Sequence, residues 1–192
     1  LPATATQHEV HSLIKSLNGD PDIDGVLLQL PLPKHLDETP LVRAILPEKD
    51  VDGFLPINQG LCLLGEDAAL LTCTPAGILE ILNRYEIPIA GKEAVVVGRS
   101  ITVGKPVAAL LTNANATVTT CHSRTEDLRS HVERAEILVV AAGRRGVVHA
   151  SWVRKGATVI DVGIHSLDDG TLAGDLEFAP AAERAAAITP VP

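Results

Sequence analysis

The sequence predicts an α/β protein with two parts. Residues 73–192 form a doubly wound parallel sheet, preceded by a smaller, partial α/β domain over residues 1–72. Three observations predict it. From Ala94 onward, apolar runs of strand length alternate with stretches of helical spacing. The runs are built from Val, Ile, Leu and Ala, as in Ala94-Val95-Val96-Val97, the composition of strands buried on both faces of a parallel sheet. Hydrophobic residues make up 46% of the chain but aromatic ones only 2%, so the core is aliphatic, which suits such a sheet better than an aromatic-rich sandwich.

The elements follow in order. Residues 5–18 carry Val10, Leu13, Ile14 and Leu17 at helical spacing, and Asn18-Gly19-Asp20-Pro21 stops the helix. Ile23 to Leu30 reads as a short buried strand ended by Pro31 and Pro33. Residues 36–46 read as a short helix and Glu48 to Pro56 as a loop. Thr74-Pro75 opens a linking helix over residues 74–85, with Thr74 as its cap. Then come a strand at 94–97, a helix at 104–112, a strand at 117–121, a helix at 125–134 and a strand at 137–141. A short helix at 150–153, a strand at 158–162 and a last apolar run, Ala187-Ile188-Thr189, complete the pattern. This rhythm implies right-handed crossovers. One strand and two helices cannot close a core, so the first domain is expected to lack its N-terminal part.

Composition excludes several functions. The net charge is −8 and aromatic residues are sparse, which suits neither nucleic acid nor an anionic membrane surface. No apolar run reaches the roughly 18 residues of a transmembrane helix. Cys62, Cys73 and Cys121 have no spacing that suggests a disulfide framework, and a reducing, cytoplasmic setting is expected. His8 and His11 share a helix face without a third ligand, so no metal is expected.

The segment Val95 to Pro106, VVVGRSITVGKP, carries the chemistry. A buried strand runs into Gly98, and Gly104 opens a helix. Glycines there admit a dinucleotide's diphosphate to the backbone, and the helix N-terminus offers free N–H groups. This is a Rossmann-like arrangement, although the spacing G-x5-G also fits a tight turn in another doubly wound fold. NAD enzymes carry an acid at the end of the second strand, where it binds the ribose hydroxyls. Here that strand ends Cys121-His122-Ser123-Arg124, without one. Ser123, Arg124 and Arg99 suit a 2′-phosphate instead, so NADP is expected over NAD. The alternative is that both arginines are ordinary surface charges.

Seven segments then appear in a known order: Gln29-Leu30-Pro31-Leu32-Pro33; Lys49-Asp50-Val51-Asp52-Gly53-Phe54; Cys73-Thr74-Pro75 with Gly77; Gly98-Arg99-Ser100 with Val103-Gly104 and Pro106; Ile160-Asp161-Val162-Gly163-Ile164; Gly174-Asp175; and Ile188-Thr189-Pro190-Val191-Pro192. In these the chain resembles the bifunctional methylenetetrahydrofolate dehydrogenase/cyclohydrolase family along nearly its whole length. The resemblance implies a folate-binding domain and an NADP-binding domain. It also implies NADP-dependent oxidation of 5,10-methylenetetrahydrofolate and hydrolysis of the product to 10-formyltetrahydrofolate, in a homodimer formed through the cofactor domain.

Residue by residue, the resemblance implies that Gln29 orients a catalytic lysine, and that Leu30 and Pro31 lie at the substrate. Asp52 would bond the pterin ring, which Gly53 lets approach. Gly98, Arg99 and Ser100 would hold the NADP phosphates, Ser123 and Arg124 the 2′-phosphate, and Ile164 would lie at the nicotinamide end. The family's lysine precedes the segment matching Leu1, so this chain is expected to be a fragment with negligible turnover. A dehydrogenase-only relative, a non-catalytic NADP-binding paralogue and an unrelated NADP dehydrogenase are the competing readings.

Overall fold

The structure, a computed structural model, describes residues 1–191. The chain forms two compact units, Leu1–Cys73 and a second beginning at Thr74.

In the first unit, helix α1 (Gln7–Gly19) starts at Thr6, whose hydroxyl accepts the N–H of Glu9 while the Glu9 carboxylate accepts the N–H of Thr6. This reciprocal pair satisfies two otherwise unpartnered donors. At the other end Lys49 donates to the carbonyls of Leu17, Asn18 and Asp20 at 2.9, 3.0 and 2.7 Å. A cation there satisfies helix-end acceptors and opposes the dipole. Helix α2 (Glu38–Arg43) packs on α1, and Val10, Ile14, Val26, Leu41 and Ile45 make the small core. Helix α3 (Pro56–Leu64) completes the unit.

The expected strand at Ile23 to Leu30 does not form. Only one bridge links Val26 to Asp50, closed by the Val26 N–H to the Lys49 carbonyl at 2.8 Å. An extended segment with no long partner cannot build a ladder, and Leu27 is left exposed. Helix α3 lies where the sequence suggests little, because its buried residues are Asn58 and Cys62 rather than a run of large aliphatics. Its signals are at its ends, Pro56 in the first turn and Gly65 in the left-handed region, φ 73°.

The second unit opens with helix α4 (Cys73–Arg84), so Thr74 lies inside the first turn and is not the cap expected of it. Strand β1 (Glu93–Val97), helix α5 (Gly104–Asn113), strand β2 (Thr117–Cys121), helix α6 (Leu128–Arg134), strands β3 (Ile137–Val140) and β4 (Thr158–Asp161), a hairpin of β5 (His165–Ser166) with β6 (Leu172–Ala173), helix α7 (Phe178–Ala182) and strand β7 (Ala187–Ile188) follow. The helix expected from 125 begins at Leu128, where Asp127 caps it and residues 122–125 turn instead. The residues expected to make a short helix at 150–153 form a single 3-10 turn, Ala150–Trp152. The hairpin and α7 are too short to leave a periodic signal.

The five-stranded sheet runs β2-β1-β3-β4-β7, all parallel. Alternate side chains of its strands feed two cores. Val95, Val97, Leu138, Val140 and Val159 meet Val132 of α6 and Ala181 of α7. Ala94, Val96, Ile137, Val139 and Ile160 meet Ile78 and Leu82 of α4 and Val107 and Leu111 of α5. Both faces are therefore covered, as the aliphatic strands require. From β1 the chain crosses outward to β2 and then returns to β3 on the other side of β1. Such a reversal leaves a crevice beyond the carboxyl ends of the two strands.

Candidate functional site

That crevice holds a cavity of about 450 Å³. Gly98, at the end of β1, has φ 138°, and a methyl group there would overlap the Ala141 carbonyl. Gly104, at the start of α5, has no room either: a methyl would overlap the Gly98 carbonyl. These two glycines let strand end and helix start pack backbone to backbone, leaving the loop between them open to a ligand. Ser100 Oγ accepts the N–H groups of Val103 and Gly104 at 3.1 and 3.2 Å. Its own proton stays available for a phosphate oxygen.

The turn after β2 forms the next wall. Thr125 Oγ1 accepts the His122 N–H at 2.8 Å, and His122 Nδ1 accepts the Arg124 N–H at 3.1 Å. The turn presents His122, Ser123 and Thr125 to the cavity, with Arg99 and Ser100 beside them. Arg124 is exposed and is not among the lining residues. Arg144, which the sequence reading did not single out, is among them. None of the lining residues is acidic. Ile164 is 73% exposed, outside the cavity lining.

The loop carrying Arg144 is anchored by Asp175, which is fully buried. Asp175 Oδ2 accepts the N–H groups of Ala142 and Gly143 at 2.7 and 2.9 Å, and its carbonyl accepts that of Gly146 at 2.8 Å. Oδ1 lies 2.7 Å from His165 Nε2. Asp161 in turn accepts the N–H groups of Gly163, Asp175 and Leu176 at 2.9, 3.0 and 2.8 Å. Methyl groups at Gly163 or Gly174 would run into these two carboxylates. The motif residues Asp161, Gly163, Gly174 and Asp175 are thus one scaffold behind the cavity.

In the first unit, the two aspartates of Lys49-Asp50-Val51-Asp52-Gly53 divide the work. Asp50 is buried and accepts the N–H groups of Phe54 and Leu55 at 3.2 and 2.9 Å and the Asn58 amide at 2.8 Å. It shapes the entry to α3. The half-buried Asp52 makes no such bonds. Burial raises its carboxyl above the ordinary aspartate value, and the nearby charge of Asp50 adds to the effect. Gly53 has φ 65° and packs against the backbone of Leu70 to Thr72, where any side chain would collide. Gln29 is exposed, its amide donating to the Leu30 carbonyl at 3.0 Å, and the Leu30–Pro31 peptide bond is cis.

Comparison with known proteins supplies the frame. The model of the tetrahydrofolate dehydrogenase/cyclohydrolase NAD(P)-binding domain matches residues 72–192, and that of the catalytic domain of the same family matches residues 1–52. The chain belongs to the tetrahydrofolate dehydrogenase/cyclohydrolase family. It is 54% identical over 190 residues to the bifunctional protein FolD of Bacillus licheniformis, covering 99% of this chain and 66% of that protein. It is 53% identical to the Bacillus subtilis FolD, covering 99% and 67%. Among solved structures, the FolD methylenetetrahydrofolate dehydrogenase/cyclohydrolase of Campylobacter jejuni superposes with a TM-score of 0.97 at 43% identity, covering 100% and 68%. The Trypanosoma brucei FolD, solved with NADP and an inhibitor, gives 0.92 at 41%, covering 100% and 68%. The chain thus spans about two thirds of the length of the relatives it matches.

Among the described residues no group of His, Cys, Asp or Glu could hold a metal, and no helix is long and apolar enough to cross a membrane. None of the cysteines is in a disulfide, and burial raises the thiols of Cys62 and Cys121.

Proposed function

We propose that this chain forms the NADP-binding wall and part of the folate-binding wall of an enzyme that oxidises 5,10-methylenetetrahydrofolate and hydrolyses the methenyl product to 10-formyltetrahydrofolate. The observation that carries this reading is the acid-free cavity at the sheet's switch point, in a chain matched by both domain models of one family. NADP-bound T. brucei FolD supports the choice of cofactor.

The residues present fit the cofactor. Gly98 and Gly104 let the end of β1 and the start of α5 pack so closely that the loop between them presents its backbone to the cavity. Ser100 and Ser123 offer hydroxyls, and Arg99 offers a charged donor, toward phosphate. When bound, the nicotinamide would supply a hydride acceptor. The protein's task is then to fix the reacting groups in register, which accounts for much of the rate in such reactions. The Asp161–Asp175 scaffold contributes by holding the loop at the cavity rim.

On the folate side, Asp52 suits the N–H edge of a pterin, because two donors would satisfy a carboxylate that its surroundings leave underbonded. Gly53 lets the chain beside Asp52 pack against the backbone of Leu70 to Thr72, and Leu30 and Pro31 add apolar contact. Gln29 can orient a neighbouring lysine without competing for its proton. Lys49 cannot be that lysine, since three carbonyls already hold its ammonium. The family reading also implies a homodimer through the cofactor unit and a cytoplasmic setting.

Hydrogen exchange tests both walls in one experiment. NADP should protect residues 98–104 and 122–125, and tetrahydrofolate should protect residues 29–31 and 52–53. Protection by NADP alone would support the non-catalytic, nucleotide-binding reading instead.

A further inference from the structure

Most arginines of the second unit are occupied. Arg84 and Arg129 pair with Glu80 and Glu133, and Arg154 and Arg184 donate to the carbonyls of Arg134 and Val153. Arg99 and Arg144 differ: both line the cavity, and neither guanidinium has a partner among the described residues. Arg99 comes from the loop after β1 and Arg144 from the loop after β3.

Arg144 is also held where it is. The N–H groups of Ala142, Gly143 and Gly146 all end on Asp175, a buried residue that fixes the loop on both sides of Arg144. Gly143 and Gly146 take φ of 63° and 69°, which lets the loop turn back sharply at each end. A long side chain on a mobile loop gives up rotamer and backbone freedom when it binds. An anchored loop has already given up the backbone share.

The Gly98 turn and the N-terminus of α5 already serve a diphosphate, so two partnerless guanidiniums lining the same acid-free cavity as Ser123 are left for a further phosphate. Resting on the NADP reading above, we propose that Arg144 is a specificity-determining residue that contacts the 2′-phosphate of the cofactor and so sets the preference for NADP over NAD. Arg145, one residue along and outside the lining, serves as the charge control.

The test is the dissociation constant for NADP and for NAD, measured calorimetrically with the wild-type chain, Arg144→Gln and Arg145→Gln. Arg144→Gln should weaken NADP binding by about tenfold or more, the effect of losing one charge-assisted contact, and leave NAD binding within about twofold. Arg145→Gln should change neither. Equal weakening of both cofactors by Arg144→Gln would mean contact with a part they share, the adenine or the diphosphate, and would overturn the assignment, as would unchanged NADP binding. If the wild-type chain binds NADP and NAD equally or not at all, the cofactor reading fails and takes this proposal with it. The Arg144 side chain is exposed and has no bonding partner among the described residues, so the variant keeps its fold, and the melting temperature verifies that.

Discussion

Asp161 Oδ1 accepts the backbone N–H of Asp175 at 3.0 Å, tying the end of β4 to the residue that anchors the cavity loop. The two acids stand 14 residues apart in sequence, and each spends its carboxylate on backbone N–H groups. Each carboxylate takes donors from more than one residue. Deleting it leaves several donors unsatisfied at once.

Asp175→Ala should therefore cost about 3 kcal/mol or more, since the N–H groups of Ala142 and Gly143 and the His165 ring lose their acceptor. Urea unfolding of the second unit measures it. NADP affinity should fall as well, because the loop loses its anchor.

Gly104→Ala tests the backbone contact between strand end and helix start. The added methyl must displace either α5 or the Gly98 carbonyl, a change that costs about 2–3 kcal/mol when packed atoms cannot yield. Gly91→Ala is the comparison, since nothing lies within 4 Å of a methyl there and only its left-handed φ of 75° opposes the change. Unfolding of both variants should show the larger loss at Gly104, with NADP binding impaired only there.

The paired aspartates of the first unit should respond in opposite directions. Asp50→Ala removes the acceptor of two N–H groups and of the Asn58 amide, so a loss of about 3 kcal/mol is expected. Asp52→Asn should raise stability near neutral pH and abolish folate binding. The sign follows from the raised carboxyl: the folded state holds its proton more tightly than the unfolded chain, so stability drops as pH rises through the carboxylate range. The advantage of Asp52→Asn over wild type should be absent at the acid end of that range and open as pH rises. Melting temperatures across pH for the two proteins check it.

Thr72 is buried and its hydroxyl finds no hydrogen-bond partner among the described residues. An isosteric apolar side chain removes that desolvation cost, so Thr72→Val should stabilise the first unit by about 1 kcal/mol. Chemical denaturation reads the change directly.

The second unit was legible because its signals are local. Val95 to Val97 and Leu138 to Val140 announce buried strands, and Gly98 and Gly104 mark the close approach without any knowledge of the fold. The first unit was less so. Val26 sits in extended backbone that only one bridge holds, and α3 buries Asn58 and Cys62, which no hydrophobic count selects. At the site, Ser123 and Arg99 followed from the missing acid after β2, whereas Arg144 did not. Its place depends on Asp175, 31 residues further on, and a contact of that range leaves no trace in local pattern. The same contact explains why Gly174-Asp175 reads as a motif with no visible chemistry of its own.

The most direct measurement is calorimetric titration of the chain with NADP and, separately, with NAD. The account predicts saturable binding at one site per chain, with NADP tighter by about tenfold or more because an acid-free, guanidinium-lined cavity rewards the additional phosphate. Equal affinity for the two cofactors, or binding of neither, would contradict it.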